Sequence, residues 1–274
     1  MGGQFRIPNS EFRILNFMGR PKRRRLGQNF LVDQDIAERI AALLADDPPR
    51  VLEIGPGRGA LTDPLVDRFK RVLALELDEN LVLPLVERFA ARGLEVRQTD
   101  ALSAELGPIL AAEAPWQVAS NLPYSVGTAI LRRLLPRHDL FTRLVVMLQR
   151  EVAARVVAEP SGSGHGLLAL ERAAWADARW LFDVQPQAFR PRPKVVSSVI
   201  VLDLKAPAHD PALLNKAFEL AAPALTMPRK MLSNAVRVTD VERITAAGLD
   251  PSARPGTVPL GGWVRLAQEL DNPS

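Results

Sequence analysis

The sequence predicts an α/β protein in which a parallel sheet, covered by helices on both faces, is followed by a small helical domain. Apolar strand segments alternate with helical segments from Arg50 onward, and the strands are almost continuously apolar, as in a sheet buried on both sides. Strand patterns cease after Leu204. The 274 residues, 47% hydrophobic and 24% charged, suit a globular protein with a large and a small domain.

Each element follows from its local pattern. Helical periodicity first occurs over residues 35–44, where Ile36, Ile40 and Leu44 share one face. Five apolar strands are predicted at 51–54, 72–75, 94–97, 117–119 and 144–148. The helices between and after them are predicted at 61–69, 79–91, 128–135 and 151–158. A last strand pair, 178–182 and 195–204, is expected to close the sheet as an antiparallel edge.

Domain limits are predicted from changes in composition. Residues 1–21 show no clear period and are expected to form a mobile extension, in which Met18 is a candidate for the true start. The large domain is assigned to 22–206 and the small helical domain to 207–274, because Pro, Ala, His and Asp dominate at the junction. The Ser-Gly-Ser-Gly run within 160–166 predicts a mobile loop.

Composition excludes several kinds of chemistry. The chain has no Cys, so disulfides, thiolate metal sites and thiol nucleophiles are excluded, and a cytoplasmic location fits. No apolar run is long enough for a membrane span, and the three His show no ligand spacing, so neither a membrane nor a metal is expected. The net charge is +4 and most basic residues are Arg, which fits a nucleic-acid partner and equally a GC-rich genome.

A glycine loop follows the first strand of the alternating region. The segment EIGPGRGALT places Gly55, Gly57 and Gly59 between a strand and a helix, where a ligand can approach the backbone. Glu76 ends the next strand, where a carboxylate can accept both ribose hydroxyls of an adenosine-containing cofactor. The loop predicts a nucleoside cofactor, and a dinucleotide cofactor fits the same pattern. The alternative is that the three glycines only form a tight turn and bind no ligand.

Two further strand ends carry polar groups at the same predicted sheet edge. Asp100 follows the third strand and is expected to accept a hydrogen bond from an adenine amine, to cap a helix over 101–106, or to do both. Asn121 and Tyr124, the only tyrosine, lie in Asn-Leu-Pro-Tyr after the fourth. The Asn121 oxygen and a neighbouring carbonyl oxygen can accept hydrogen bonds from both N–H groups of a ring-bound amine while Tyr124 stacks on the ring. The amine lone pair then turns toward an electrophile without a strong base.

Seven motifs in order carry a family resemblance: GQNFL, EIGPGRGALT, ELD, TDAL, NLPY, LQREV and FRPRPKVVSSV. Together they resemble the ribosomal RNA adenine N6-dimethyltransferases, and most of all the bacterial small-subunit enzymes. The resemblance runs from about residue 22 to the end and is strong to about residue 204. It implies the Rossmann-like sheet of class I methyltransferases that use S-adenosylmethionine. The implied reaction dimethylates two adjacent adenosines near the 3′ end of small-subunit (16S) ribosomal RNA.

The resemblance also implies roles for individual residues. The cofactor-binding set is Gln28, Asn29, Leu31, Gly55, Gly57, Glu76, Leu77, Asp100, Ala101 and Asn121. The catalytic set is Asn121, Leu122, Tyr124 and Phe189, with Phe189 stacking on the second face of the flipped adenine unless it is a core aromatic.

Contacts to RNA phosphates are expected from basic residues in three regions of the chain. They are Arg23, Arg24, Arg25, Arg192, Lys194, Arg229 and Lys230, with Arg132 and Arg133 as further candidates. Solvated surface charge is the alternative for any single one of them. The implied partner is RNA within a partly assembled 30S particle, bound by a monomer. Leu225 and Pro228 depart from the family's Phe and Arg, and His165 replaces an aromatic residue, so RNA docking there is expected to differ.

Four alternatives stay open on the sequence. A large-subunit ribosomal RNA methyltransferase shares the glycine loop and an NLPY-like motif, although FRPRPKVVSSV and the tail length favour the small-subunit enzyme. A DNA adenine methyltransferase usually carries Pro-Pro-Tyr after Asp or Asn. A nicotinamide oxidoreductase explains the glycine loop and Glu76 but not NLPY or GQNFL. A non-catalytic assembly factor is disfavoured by intact Glu76, Asn121 and Tyr124.

Overall fold

A computed structural model describes residues 28–159, 166–236 and 241–271. The predicted extension 1–21, the residues Arg23, Arg24 and Arg25, and all but the last residue of the predicted loop 160–166 lie outside the described residues. Within the described part, the strands are β1 (Phe30–Leu31), β2 (Arg50–Ile54), β3 (Arg71–Glu76), β4 (Leu94–Gln98), β5 (Trp116–Asn121), β6 (Phe141–Gln149), β7 (Ala176–Val184), β8 (Phe189–Arg190) and β9 (Ser197–Leu204).

Helices alternate with these strands and then form the carboxyl-terminal part. They are α1 (Gln34–Ala42), α2 (Thr62–Arg68), α3 (Glu79–Phe89), α4 (Leu106–Leu110), α5 (Gly127–Leu134), α6 (Arg150–Val157), α7 (Leu167–Trp175), α8 (Pro211–Leu225), α9 (Leu232–Ala235), α10 (Val241–Ala246) and α11 (Leu260–Asp271). No helix in 28–159, 166–236 or 241–271 is long and apolar enough to cross a membrane.

Seven strands form one sheet in the order β4-β3-β2-β5-β6-β9-β7. Strands β2 to β6 are parallel, so their carboxyl ends meet at one edge, whereas β9 runs antiparallel to both β6 and β7. The central strands are buried on both faces, because helices cover the sheet from each side. The predicted α/β class, the parallel sheet and its antiparallel edge are confirmed.

A second, two-stranded sheet joins two distant segments of the chain. Phe30 lies opposite Arg190 and Leu31 lies opposite Phe189 in the antiparallel pair of β1 and β8. The Val32 N–H extends this pairing by donating to the Ala188 carbonyl oxygen at 2.8 Å. The pairing fixes the GQNFL segment beside the FRPRP segment, and it lies outside what sequence periodicity can predict.

Helix predictions differed from the structure at two places. Helix α7 was not predicted, because its apolar residues occur all round and give no amphipathic stripe. The alternative role of Asp100 as cap of a helix over 101–106 is wrong. Residues 101–103 form a turn, and the next helix, α4, begins only at Leu106.

The carboxyl-terminal helices pack on the large sheet's helical layer. Helix α8 contacts both α7 and α11. Leu214 of α8 and Trp263 of α11 belong to the same buried apolar cluster as Ile200 of β9. The proposed boundary at residue 206 therefore separates strands from helices within a shared core, and its status as a domain boundary stays a prediction.

Candidate active site

A cleft of about 150 Å³ lies at the carboxyl ends of β2 to β5, the edge at which parallel α/β sheets bind their ligands. Residues predicted from the sequence line most of it: Gln28, Asn29, Gly55, Gly57, Glu76, Leu77, Asp100, Ala101, Asn121, Leu122 and Tyr124. Phe30, Thr99, Val126 and Ile130 also line the cleft and were not predicted. Two separate predictions, the glycine loop with Glu76 and the NLPY segment, therefore meet in one place.

The glycine loop takes a conformation that other residues rarely adopt. Gly57 and Gly59 have φ values of 59° and 81°. A Cβ on Gly59 would lie 2.5 Å from Cε2 of Phe89, and one on Gly57 would lie 2.9 Å from Cδ1 of Phe30. Gly59 thus lets the loop pack on α3, and Gly57 lets Phe30 pack over the loop. A Cβ on Gly55 would meet only Pro123, at 3.9 Å, so the backbone there is open to the cleft.

Both carboxylate oxygens of Glu76 accept hydrogen bonds from backbone N–H groups. Its Oε2 accepts from the Gly57 N–H at 3.1 Å and its Oε1 accepts from the Asp78 N–H at 2.8 Å. Burial raises the pKa of the Glu76 carboxyl, and hydrogen bonds from backbone N–H groups act against that rise. Each oxygen keeps a lone pair, so the carboxylate can still accept two hydroxyl hydrogen bonds.

A second acidic residue, Glu53, lies beneath the glycine loop and was not predicted. Its side chain is 1% exposed, and Oε2 accepts from the Thr62 hydroxyl at 2.7 Å. Burial, opposed by the Thr62 hydrogen bond and reinforced by the Glu76 charge, raises the pKa of Glu53 to about 8. Glu53 is therefore mostly neutral at pH 7. Because Thr62 opens α2, the bond joins β2 to that helix across the loop.

Asp100 occupies a tight turn at the end of β4. Its Oδ1 accepts from the Leu102 N–H at 2.8 Å, and its carbonyl oxygen accepts from the Ala104 N–H at 2.8 Å. Its second carboxylate oxygen accepts no hydrogen bond from the described residues and can meet an adenine amine.

Arg133 on α5 holds this turn from below. Its guanidinium donates to the carbonyl oxygens of Leu102 and Ala104. Arg132 is engaged as well, donating to Oε2 of Glu171 at 2.6 Å. The Arg133 guanidinium thus supports the cleft wall, and contact of either arginine with an RNA phosphate stays a prediction.

Asn121 presents its side-chain oxygen to the cleft. Its Nδ2 donates to the Asn29 carbonyl oxygen at 3.2 Å, and a carbonyl can only accept, so the amide nitrogen must face that way. The amide oxygen is left to accept from a ligand. The Leu122 N–H donates to the Met147 carbonyl oxygen at 3.1 Å, and the Leu122 carbonyl receives no hydrogen bond within the described residues. Two acceptors for one amino group are thus available at adjacent residues.

Tyr124 places its ring on the wall of the same cleft. Its hydroxyl and the Ser197 hydroxyl are 2.6 Å apart. Burial raises the pKa of the Tyr124 phenol, while the Ser197 hydrogen bond lowers it. The phenol therefore stays protonated at neutral pH. Ser197 lies in FRPRPKVVSSV but was not singled out from the sequence, because no local pattern links it to Tyr124.

Comparison with known proteins identifies the chain's relatives. The sequence matches the family described as ribosomal RNA adenine dimethylase over residues 19–272. The chain belongs to this family.

Curated relatives cover most of the chain. A ribosomal RNA small subunit methyltransferase A from Phenylobacterium zucineum is 41% identical over 245 residues, covering 88% of this chain and 85% of the relative. Another from Pseudomonas aeruginosa is 38% identical over 258 residues, covering 90% of this chain and 94% of the relative.

Solved structures show the same fold. The 23S rRNA methyltransferase ErmE has a TM-score of 0.67 and 26% identity, covering 89% of this chain and 100% of that one. A dimethyladenosine transferase from Plasmodium falciparum has a TM-score of 0.70 at 21% identity, covering 86% of this chain and 95% of that one.

In this ribosomal RNA adenine dimethylase, two predicted site residues do not line the cleft. Phe189 is fully buried and Leu31 is 5% exposed, both in the apolar cluster beneath the small sheet. The antiparallel pairing of β1 with β8 turns both side chains into that core. In this arrangement Phe189 offers no face to a base, so the structure agrees with its alternative role as a core aromatic.

The remaining predicted RNA contacts of the dimethylase are exposed. Arg192 and Lys194 lie on the loop between β8 and β9, and Arg229 and Lys230 follow α8. None of the four forms an ion pair with the described residues, so each can meet a phosphate. Pro228 begins the turn that carries Arg229 and Lys230. Within the described ranges, no cluster of three His, Cys, Asp or Glu could hold a metal.

Proposed function

We propose that this dimethylase transfers methyl groups from S-adenosylmethionine to N6 of two adjacent adenosines near the 3′ end of small-subunit ribosomal RNA. The product is N6-dimethyladenosine. The observation that carries the proposal is that Glu76 and the segment from Asn121 to Tyr124 face one cleft. One part suits a ribose and the other suits a ring-bound amine.

The residues of the cleft fit the cofactor. Gly55 leaves the backbone open to the cleft, and Glu76 has acceptor capacity for two ribose hydroxyls. Leu77 is 50% exposed beside the cleft and offers apolar surface to a base, while Asp100 can accept from its amine. S-adenosylmethionine supplies an electrophilic methyl group when bound.

The chain's own groups prepare the target amine. Asn121 Oδ1 and the Leu122 carbonyl oxygen accept hydrogen bonds from its two N–H groups. These hydrogen bonds orient the amine so that the nitrogen lone pair leaves conjugation with the ring. Tyr124 stacks on the base, an interaction worth roughly 1–3 kcal/mol. The alkylated amine is acidic enough to release its proton to water, so the neutral Tyr124 phenol need not act as a base. For a second transfer, the monomethylated amine still offers one N–H.

The RNA assignment rests on the family and on exposed charge. The curated relatives are named for the small ribosomal subunit, and Arg192 and Lys194 lie on the loop that leads to Ser197. RNA is typically recognised through phosphates and unstacked loop bases, which suits a helix-loop in a partly assembled 30S particle. A monomeric state and a cytoplasmic location are part of the same proposal.

A second candidate substrate is large-subunit ribosomal RNA. The observation that favours it is the likeness to ErmE, which is 26% identical and covers 89% of this chain. The higher identity to relatives named for the small subunit, 41% over 88% of the chain, favours the first candidate.

Methyl transfer with an inactive control tests the proposal. Purified protein is incubated with labelled S-adenosylmethionine and small subunits that lack dimethyladenosine, beside the variant Asn121→Ala. Loss of one aligned acceptor should lower the rate at least ~100-fold while cofactor affinity by calorimetry changes little. Transfer at an equal rate by both proteins would contradict the assigned role of Asn121, and no transfer by the wild-type protein would contradict the proposed function.

A further inference from the structure

Ser197 is the one buried hydroxyl that reaches a side chain of the cleft among the described residues. The side chain is 0% exposed, and its hydroxyl lies 2.6 Å from that of Tyr124, which is 73 residues away in sequence. No other described group hydrogen-bonds to the Ser197 hydroxyl. A buried polar group is costly unless it is hydrogen-bonded, so this pair satisfies Ser197 only while Tyr124 holds its present orientation.

The sheet order explains how the two residues meet. Tyr124 follows the carboxyl end of β5, and Ser197 begins β9, with β6 between them. The strand register places Ser197 opposite Gln149, the last residue of β6. The Tyr124 side chain therefore extends across the end of β6 and is anchored on the far side by Ser197. On the near side, the Leu122 N–H bond to Met147 fixes the backbone.

We propose that Ser197 is a positioning residue for methyl transfer, whose hydroxyl holds the Tyr124 ring at the angle at which it stacks on the target adenine. The inference rests on the proposed function and adds to it a residue from a distant strand. Without this anchor, the ring is free to rotate about its side-chain bonds, and the adenine amine is no longer held against Asn121 and Leu122.

The phenol hydroxyl serves orientation rather than proton transfer. Burial keeps the pKa of Tyr124 above its ordinary value even though the Ser197 bond acts in the opposite direction. Opposite Ser198 on the paired strand, Asp183 accepts from the Ser198 hydroxyl at 2.8 Å, and Arg150 pairs with Asp183 at 3.2 Å. Neither forms a hydrogen bond with Ser197 or Tyr124.

Kinetics on four variants test the proposal. Ser197→Ala and Tyr124→Phe remove the same hydrogen bond from opposite ends, Ser197→Thr keeps a hydroxyl, and Ser198→Ala is the matched control. We expect Ser197→Ala and Tyr124→Phe each to lower kcat about tenfold, and the double variant to be no slower. Cofactor and RNA affinity should stay within about twofold, Ser197→Thr should recover most of kcat, and Ser198→Ala should match the wild-type protein.

A spectroscopic measurement reports on the bond independently of turnover. Because Tyr124 is the only tyrosine, 3-fluorotyrosine gives a single ¹⁹F resonance. Ser197→Ala should shift this resonance and raise the pKa at which it titrates, since the hydrogen bond to Ser197 lowers that pKa. Ser198→Ala should leave both unchanged.

Three results would overturn the proposal. An unchanged ¹⁹F resonance in Ser197→Ala would show that the bond is absent. A shifted resonance with normal kcat would show that the bond does not matter for transfer. A loss of kcat matched by an equal loss of cofactor affinity would make Ser197 merely structural. If Ser197→Ala fails to fold, Tyr124→Phe tests the same bond. Failure of the wild-type protein to transfer methyl would instead refute the proposed function.

Discussion

Replacing Glu76 by Ala should weaken cofactor binding strongly, because the carboxylate has one role toward the loop and another toward the ligand. Each oxygen accepts one backbone N–H, from Gly57 or Asp78, and retains capacity for one ribose hydroxyl. A hydrogen bond to a charged group contributes roughly 1.5–3 kcal/mol, so two of them contribute about 3–6 kcal/mol. Glu76→Ala should therefore raise the dissociation constant of S-adenosylmethionine at least ~100-fold.

Isothermal titration calorimetry measures this effect directly. Glu87→Ala is the matched control, because Glu87 is exposed on α3 and forms no ion pair among the described residues. Since burial raises the pKa of Glu76 and ribose binding needs the carboxylate, affinity should also fall as the pH is lowered toward that pKa. A change in affinity of less than about tenfold in a folded Glu76→Ala variant would refute the ribose assignment.

Three further predictions concern the walls of the cleft and the buried acid beneath it. Arg133→Ala should weaken S-adenosylmethionine binding about tenfold, because the turn after Asp100 loses two guanidinium hydrogen bonds, whereas Arg132→Ala should not; equal calorimetric affinities would contradict this support. Gly59→Ala should lower the free energy of unfolding by about 2–5 kcal/mol, from left-handed strain and the clash with Phe89, while Gly256→Ala, which meets nothing within 4 Å, should change it little in urea denaturation. Glu53 holds its proton to about pH 8 when folded but only to about pH 4.5 when unfolded, so it reduces stability as the pH rises through this window. As the pH rises from 5 to 8.5, the free energy of unfolding of Glu53→Gln should therefore increase by on the order of 3–5 kcal/mol relative to that of the wild-type protein. If urea denaturation gives the same difference between the two proteins at both pH values, the raised pKa of Glu53 is disproved.

The sheet was predictable because its signals are local. Each central strand is a short apolar run between a helix and a turn. Several of these strands end at a polar side chain that can bind a ligand, such as Glu76 or Asn121. Since parallel strands end at the same edge, the meeting of these residues in one cleft followed from the alternation alone. The family motifs then supplied the individual roles.

What the sequence did not reveal depends on contacts between distant segments. The pairing of Leu31 with Phe189 buries both side chains, although their motifs place them with cleft residues. The Tyr124–Ser197 bond joins positions 73 residues apart, and no spacing rule connects them. Arg133 resembles any surface arginine in sequence, and only the fold brings it beneath the Asp100 turn. Helix α7 is apolar on all sides, so it lacks the stripe that marks a surface helix.

Methyl transfer to three substrates in parallel tests the central claim most directly. The full chain and labelled S-adenosylmethionine are incubated in separate reactions with unmethylated small subunits, large-subunit RNA or DNA. The products are then digested to nucleosides. The account predicts N6-dimethyladenosine in the small subunit alone. Label in large-subunit RNA or in DNA instead, or cofactor binding without transfer to any of the three, would contradict it.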